Sequence, residues 1–296
     1  MESLRHKTIH GLWWSFLQTV GVQGTRFIIG IVLARLLFPE QFGLIGMLTI
    51  FTAVAQVFLE GGFGAALIQK CDPTPTDTSS IFYFNIVVGI FTAGFLCLAS
   101  PWIAAFYSQP ILAPLTRAFS LTIVINSFSL VPTTILEKEI NFKALTKVSL
   151  VSSGLSGIIG IVMAISGFGV WSLAVQQISG SFFRVVIVWF LNDWRPTLVF
   201  NWASLKQMFG FGSRMMFSGL LNQIFNNIYL PVVGKFYSAS DLGFFTRAIS
   251  LEQLPSHTLS AMVGKVTFPV FASIQDDPVR LKRGLKKALT TLVLIN

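Results

Sequence analysis

The residues of this chain that could do chemistry are ionisable groups set inside long apolar runs. Arg26 stands in the middle of the run 12–37. Steps of three and four residues place Thr19, Gln23, Arg26, Gly30 and Ala34 on one helical face, a polar and small-residue stripe on an otherwise apolar helix. A later run, 242–271, carries Arg247, Glu252, His257 and Lys265, with Pro255 and Pro269 interrupting it. Arg247, Ser250, Leu254, His257, Ala261 and Lys265 fall on roughly one side of that helix. Arg184 follows Gln177 and Ser181 on a third run, Arg117 lies near the end of a fourth, and Glu60 opens the segment Glu60-Gly61-Gly62-Phe63-Gly64.

An ionisable side chain at membrane depth costs roughly 2.5–3.5 kcal/mol on insertion scales, so it faces a cavity or a partner. Basic groups outnumber acidic ones at this depth, which implies a cationic interior and an anionic ligand. Arginine suits that task because its guanidinium forks onto phosphate oxygens. Arg26, Arg247, Arg184 and Lys265 are therefore candidates for holding an anionic headgroup, with Gln23, Glu60, Glu252 and His257 as candidate cavity lining. The plainer alternative is that such charges pair with one another or with helix ends. It is the preferred account of Arg184, Arg117 and Lys265, whereas a cavity role is preferred for Arg26 and Arg247. His257 alone is more commonly a packing residue than a proton switch. Asn126, Asn222, Asn226 and Asn227 read as interhelical hydrogen-bonders. No residue pattern suggests a catalytic group, a metal site or a cofactor.

These groups need elements to position them, and the composition says what kind. Hydrophobic residues make up 53% of the chain and charged residues 11%, with mean hydropathy +0.71. A soluble domain carries roughly 25% charge, so this chain lacks the polar surface to cover a water-facing globule. Crossing roughly 30 Å of hydrocarbon takes about 20 apolar residues at 1.5 Å each. That yields spans at 12–37, 42–68, 80–99, 112–136, 148–166, 170–191, 215–233 and 242–271. A ninth run begins near Leu285 and ends at Asn296, too short to cross, which predicts a fragment or a truncated product. The expected fold class is all-α and polytopic: a six-helix bundle over 1–194, a cytoplasmic linker over 195–213, and the start of a pseudo-symmetric second bundle over 214–296.

Charge distribution orients the spans. The net charge of +9 could suggest nucleic acid, but the basic residues collect in the short segments between alternate spans, as the positive-inside rule requires. With the N-terminus inside, the cytoplasmic segments hold Lys70, Lys138, Lys143, Lys147, Arg195, Lys206 and the cluster Arg280, Lys282, Arg283, Lys286 and Lys287. Trp189, Trp194 and Trp202 sit at inner ends, Trp102 and Trp171 at outer ends. The basic N-terminus resembles a signal peptide, but its apolar run is longer than the usual signal core and no small-residue cleavage site follows. Cys71 and Cys97 form no disulfide framework or metal spacing. Outer connections such as Phe38-Pro39-Glu40-Gln41 and Gly167-Phe168-Gly169 are short and leave no room for an external catalytic domain.

The chain also repeats itself. The segment Ala34 to Leu44 aligns with Gly234 to Phe244: a span ending in Arg35 or Lys235, a short turn, then a hydrophobic-Gly-hydrophobic start at Gly43 or Gly243. Both first spans enter from the same side, so the repeat is parallel, with its axis along the membrane normal.

Leu33-Ala34-Arg35-Leu36-Leu37-Phe38-Pro39-Glu40-Gln41-Phe42-Gly43 resembles a signature of the polysaccharide flippases in the multidrug/oligosaccharidyl-lipid/polysaccharide exporter superfamily. So do Gly64-Ala65-Ala66-Leu67-Ile68-Gln69, Gly169-Val170-Trp171-Ser172-Leu173, Trp194-Arg195-Pro196 and Leu242-Gly243-Phe244-Phe245-Thr246-Arg247-Ala248. The resemblance covers essentially the whole chain and is closest to the lipopolysaccharide and capsular polysaccharide export branch. It implies two six-helix bundles around a cationic cavity in the cytoplasmic (inner) membrane. Through that cavity an undecaprenyl-pyrophosphate-linked glycan would cross by alternating access, without a cofactor or ATP hydrolysis. Arg26 and Arg247 match positions of cavity arginines in that family. Implied partners are the lipid-linked glycan, membrane lipids and the polysaccharide polymerase machinery, and not nucleic acid. The chain is shorter than the family's usual length, and most of the second bundle is missing. Two alternatives stand beside it. A drug/cation antiporter needs acidic groups at depth, where the sequence offers only Glu60 and Glu252. A membrane-embedded glycosyltransferase needs carboxylates that the outer turns lack.

Overall fold

Helix starts and stops in this chain are written in its turns. The computed structural model describes residues 2–70 and 72–249, with positions 271, 282 and 284; Cys71, Glu252, His257 and Lys265 lie outside the described residues. All regular structure among those described is helical, as expected. Helix α1 spans Glu2–Leu36, α2 Pro39–Glu60, α3 Phe63–Gln69, α4 Pro75–Tyr107, α5 Leu112–Ser127, α6 Leu130–Lys138, α7 Phe142–Ile165, α8 Val170–Leu191, α9 Trp202–Asn227 and α10 Tyr229–Phe236. A further helix, α11, is described over 239–249.

Several apolar runs are less regular than their composition suggests. Run 42–68 is two helices, α2 and α3, parted where Gly61 and Gly62 adopt left-handed φ angles of 53° and 69°, a conformation that glycine tolerates without a Cβ clash. Run 112–136 breaks between α5 and α6 with a bend of 46°. Five helical segments are long and apolar enough to cross a membrane, or six if that bent pair counts as one span. The expected seventh span, 215–233, is not among them. It is shared between α9 and α10, and α9 is diluted by Lys206, Arg214, Asn222, Gln223, Asn226 and Asn227. The expected linker, 195–213, is non-helical only as far as Asn201; from Trp202 onward it forms the first half of α9.

The faces of α4 show which solvent the fold is built for. Phe91, Phe95, Leu98 and Trp102 lie at helical spacing and are 68–75% exposed. The opposite face, with Gly89, Ala93, Leu96, Ser100 and Ile103, is buried. An apolar stripe of that size facing outward is what hydrocarbon accepts and water does not. Ile28, Ile158, Val162, Ile165 and Phe190 continue the exposed apolar surface on other helices. The chain is a multi-pass, all-α membrane protein.

Polar side chains fasten one end of the bundle. Thr74 and Asp77 cap α4 reciprocally: Asp77 N–H donates to Thr74 Oγ1 at 3.2 Å and Thr74 N–H to Asp77 Oδ2 at 2.9 Å. Lys70 pairs with the same carboxylate at 2.7 Å. Lys138 Nζ donates to the carbonyls of Leu67, Ile68 and Lys70 at the end of α3. The segment before α9 is stitched to the start of α4, with Trp194 Nε1 donating to Thr78 Oγ1 at 3.0 Å, Thr197 N–H to Ser79 Oγ at 3.0 Å and Asn201 N–H to Ser80 Oγ at 2.9 Å.

The two repeat segments meet each other. A Cβ on Gly43 would lie 1.7 Å from the carbonyl oxygen of Ala239, and one on Gly243 would lie 1.9 Å from that of Pro39. Residues 39 and 239 are equivalent in the repeat, as are 43 and 243, so the contact is reciprocal, as a two-fold relation requires. Gly46 meets Thr246, its own equivalent: a Cβ there would approach Thr246 Cγ2 to 2.9 Å. The turns reach this shape by different chemistry. Pro39 starts α2 at a position where its missing N–H costs nothing. Before α11, Ser238 N–H donates to Asp241 Oδ2 at 3.2 Å and Asp241 N–H to Ser238 Oγ at 3.1 Å.

Two expected outcomes follow from this packing. Gly43→Val and Gly243→Val force the same two backbones apart, and each should destabilise the detergent-solubilised protein by about 1–3 kcal/mol or more, read as a lowered Tm. Gly154→Val, where a Cβ meets nothing within 4 Å, is the control. Asp77→Asn removes the Lys70 ion pair and weakens the α4 cap, for an expected loss of about 1–2 kcal/mol in the same melting experiment.

Candidate functional site

Between α1, α7 and α8 on one side and α2, α5 and α6 on the other lies a cavity of about 1400 Å³. It runs from Phe42, near the start of α2, to Ile68 and Glu137 at the far ends of α3 and α6. α9 contributes Met215, Ser218, Gly219 and Asn222, and α11 contributes Thr246 and Arg247. α1 packs chiefly on α7 and α7 on α8, while α4 packs on α5 and α2 on α4, α5 and α9. The two sets also meet each other, chiefly through α5 and α8 and to a lesser degree α2 and α8.

Three of the four candidate headgroup residues meet here. Arg26, Arg184 and Arg247 all line the cavity, on α1, α8 and α11. Arg26 and Glu137 are near enough to Arg184 for their charges to act on it. The Arg247 guanidinium stacks on Phe42 with its carbon 3.6 Å from the ring centroid. A Cβ on Gly30, one helical turn beyond Arg26, would come within 3.4 Å of Arg247 Nη1. Arg247 Nε is buried and has no hydrogen-bond partner among the described residues. Lys265 lies outside the described residues.

Of the expected lining residues, Glu60 lines the cavity and Gln23 does not. The stripe on α1 enters it through Arg26 and Gly30, accompanied by Ile29 and Leu33; Thr19 and Ala34 stay out. Glu252 and His257 fall outside the described residues. Gln177 and Ser181 line the cavity beside Arg184, so Arg184 has a cavity position while the charge of Glu137 also acts on it. Arg117 takes the other course: its Nε donates to Ser100 Oγ at 3.0 Å, away from the cavity. Among the asparagines, Asn126 bridges helices, donating to Gln56 Oε1 at 3.3 Å. Asn226 and Asn227 bond within α9, to Asn222 and Gln223. Cys97 is half-buried, its sulfur 2.9 Å from Ser120 Oγ.

Of the wall opposite the arginines, only Glu60 and Asn126 stood out in the sequence. Thr49, Thr52, Gln56 and Glu60 on α2 face Thr122, Asn126, Ser129, Thr133 and Glu137 on α5 and α6 across the cavity margin. The signal was available in spacing, since steps of three and four connect each set. It lacked mid-span charge, the feature that drew attention to α1 and α11. Among the described residues no group of His, Cys, Asp and Glu could hold a metal ion.

Comparison with known proteins agrees with the geometry of a polytopic helical bundle. Teichuronic acid biosynthesis protein TuaB of Bacillus subtilis (strain 168) is 28% identical over 301 aligned residues, covering 100% of this chain and 62% of the relative. Lipopolysaccharide biosynthesis protein WzxC of Escherichia coli (strain K12) is 27% identical over 99% of this chain and 60% of its own length. Succinoglycan biosynthesis transport protein ExoT of Rhizobium meliloti (strain 1021) is 28% identical over 95% of this chain and 57% of its own length. The chain thus spans about three fifths of the curated relatives it matches. No solved structure matches it. A model of the polysaccharide biosynthesis protein family matches residues 32–296, nearly the whole sequence from the end of α1 onward, and the chain belongs to that family.

Proposed function

We propose that this protein moves a lipid-pyrophosphate-linked oligosaccharide across the cytoplasmic membrane by alternating access, for export of a cell-surface polysaccharide. The observation that carries the proposal is the cavity shared by Arg26, Arg184 and Arg247 within apolar helices. Three fixed cations in a space of about 1400 Å³ attract a multiply charged anion. Guanidinium groups can bind phosphate oxygens in pairs. The relatives' names, which speak of teichuronic acid, lipopolysaccharide and succinoglycan, support a polysaccharide precursor as the anion. A carrier role, rather than an enzymatic one, is supported by a relative whose name speaks of transport. Glu60 and Glu137 also line the cavity and are the groups that a drug/cation antiporter would use. The arginines outnumber them among the described lining residues, which supports the anionic cargo.

The organisation that accompanies this function is a first bundle over 1–194 followed by the start of an equivalent second one, with the N-terminus in the cytoplasm. The reciprocal contact of 39 and 43 with 239 and 243 supports the two-fold relation between them. The polysaccharide polymerase machinery is the partner that would receive the exported glycan.

Arg26→Ala, Arg184→Ala and Arg247→Ala should each weaken binding of undecaprenyl pyrophosphate by roughly ten- to a hundredfold, since each removes charge-assisted hydrogen bonds worth about 1.5–3 kcal/mol. Surface polysaccharide should fall in cells that depend on the variant protein. Normal polysaccharide from Arg26→Ala and Arg247→Ala, with membrane insertion intact, would remove this site assignment. For orientation, single cysteines replacing Gln109 and Leu198 are labelled with a membrane-impermeant maleimide. Position 109 should react in intact cells and position 198 only after permeabilisation; the reverse pattern would invert the topology.

A further inference from the structure

The cavity's two walls offer different hydrogen-bonding chemistry. The α1/α7/α8/α11 side carries all three arginines, whose guanidinium groups only donate, beside the amides of Gln176 and Gln177 and several hydroxyls. The α2/α5/α6 side has no basic lining residue; its polar groups are amides, hydroxyls and carboxylates, set among apolar residues such as Ile45, Val57 and Ile123. On that side three side chains form a chain: Asn126 Nδ2 donates to Gln56 Oε1 at 3.3 Å, and Gln56 Nε2 donates to Glu60 Oε1 at 3.2 Å. This uses one N–H of each amide. It leaves the second N–H of Asn126 and Gln56, the Asn126 carbonyl oxygen and the remaining lone pairs of Glu60 without a bond in that chain. Thr133 lines the same wall, and its Oγ1 has no hydrogen-bond partner among the described residues.

Alternating donors and acceptors match a ligand whose own groups both donate and accept. Phosphate oxygens only accept and are served by the opposite wall. Sugar hydroxyls do both, and amide–carboxylate clusters meet them pairwise. We infer that the wall formed by Gln56, Glu60, Asn126 and Thr133 is a glycan subsite: it binds the hydroxyls of the sugars next to the pyrophosphate and selects which lipid-linked glycan is accepted. The inference rests on the proposed carrier function, and places its two ligand parts on separate walls of one cavity. Anion binding by the arginines supplies affinity common to every pyrophosphate-linked lipid. The amide wall distinguishes sugar-bearing cargo from the bare lipid carrier, which also bears a pyrophosphate but has no sugar hydroxyls for that wall to meet.

The test measures binding of two probes to the purified protein in detergent: undecaprenyl pyrophosphate, and undecaprenyl pyrophosphate esterified to one hexose. The wild-type protein should prefer the hexose-bearing probe. The double variant Gln56→Ala/Asn126→Ala should lose about tenfold in affinity for that probe, as two neutral hydrogen-bonding groups would, and keep its affinity for the bare one. Arg247→Ala should weaken both probes equally. Gln56→Leu, which keeps the side-chain volume, guards against a packing effect and should give the same selective loss as the single Gln56→Ala variant. Equal binding of the two probes by wild type, or a preference that survives in the double variant, would overturn the subsite. Binding of neither probe by wild type would overturn the carrier function itself.

Discussion

A pair of backbone contacts holds the two halves of the described chain in register. Gly43 admits the carbonyl of Ala239 and Gly243 admits that of Pro39, so α2 and α11 approach without side chains between them. In hydrocarbon there is little hydrophobic gain from bringing helices together, and close backbone approach through small residues is what makes packing favourable. Leu242, fully buried, and Ala239 then join the core cluster of Leu44, Met47 and Leu48. The same approach brings Arg247 onto the Phe42 ring and against Gly30. Without it, the arginine of α11 would not share a cavity with that of α1.

The other end of the assembly relies on polar fastening. The ion pair of Lys70 with Asp77, the Lys138 bonds to the end of α3 and the stitched segment before α9 all gather at the start of α4 and the ends of α3 and α6. α9 is drawn against α2 and α3, where a Cβ on Gly62 would lie 2.0 Å from the Gly212 carbonyl oxygen. The cavity thus has a close glycine contact beside Phe42 and another at Gly62, which itself lines it. Its arginines are held by rigid helices, which keeps donors aimed at a common space and lessens the reorganisation on binding.

Much of this was legible in residue types. Apolar runs between basic segments specify a helical membrane protein because hydrocarbon tolerates no unpaired backbone. The repeat was visible at Gly43 and Gly243, where close approach allows only glycine. Arg26 and Arg247 stood out because charge inside an apolar run demands a cavity or a partner. The polar wall of Gln56, Asn126 and Thr133 was less visible, since uncharged polar residues are affordable at membrane depth and occur there for packing alone. The outcome for Arg184 and Arg117 was not legible either, since both are lone arginines in apolar runs. One lines the cavity and the other donates to Ser100.

The sequence by itself determined the helical class and the membrane setting, because each depends on local composition; it also offered the likeness of 34–44 to 234–244, one segment compared with another. Tertiary structure decided the breaks at Gly61–Gly62 and between α5 and α6, and it decided which polar faces meet. Periodicity places Arg26, Arg184 and Arg247 on faces of three separate helices, but says nothing about rotation of one helix against the next. That rotation is set by packing between residues far apart in the chain, such as Gly43 with Ala239, and so the arginines' shared cavity, with a polar wall opposite that carries Glu60 and Glu137 and no basic residue, exists only in the folded bundle.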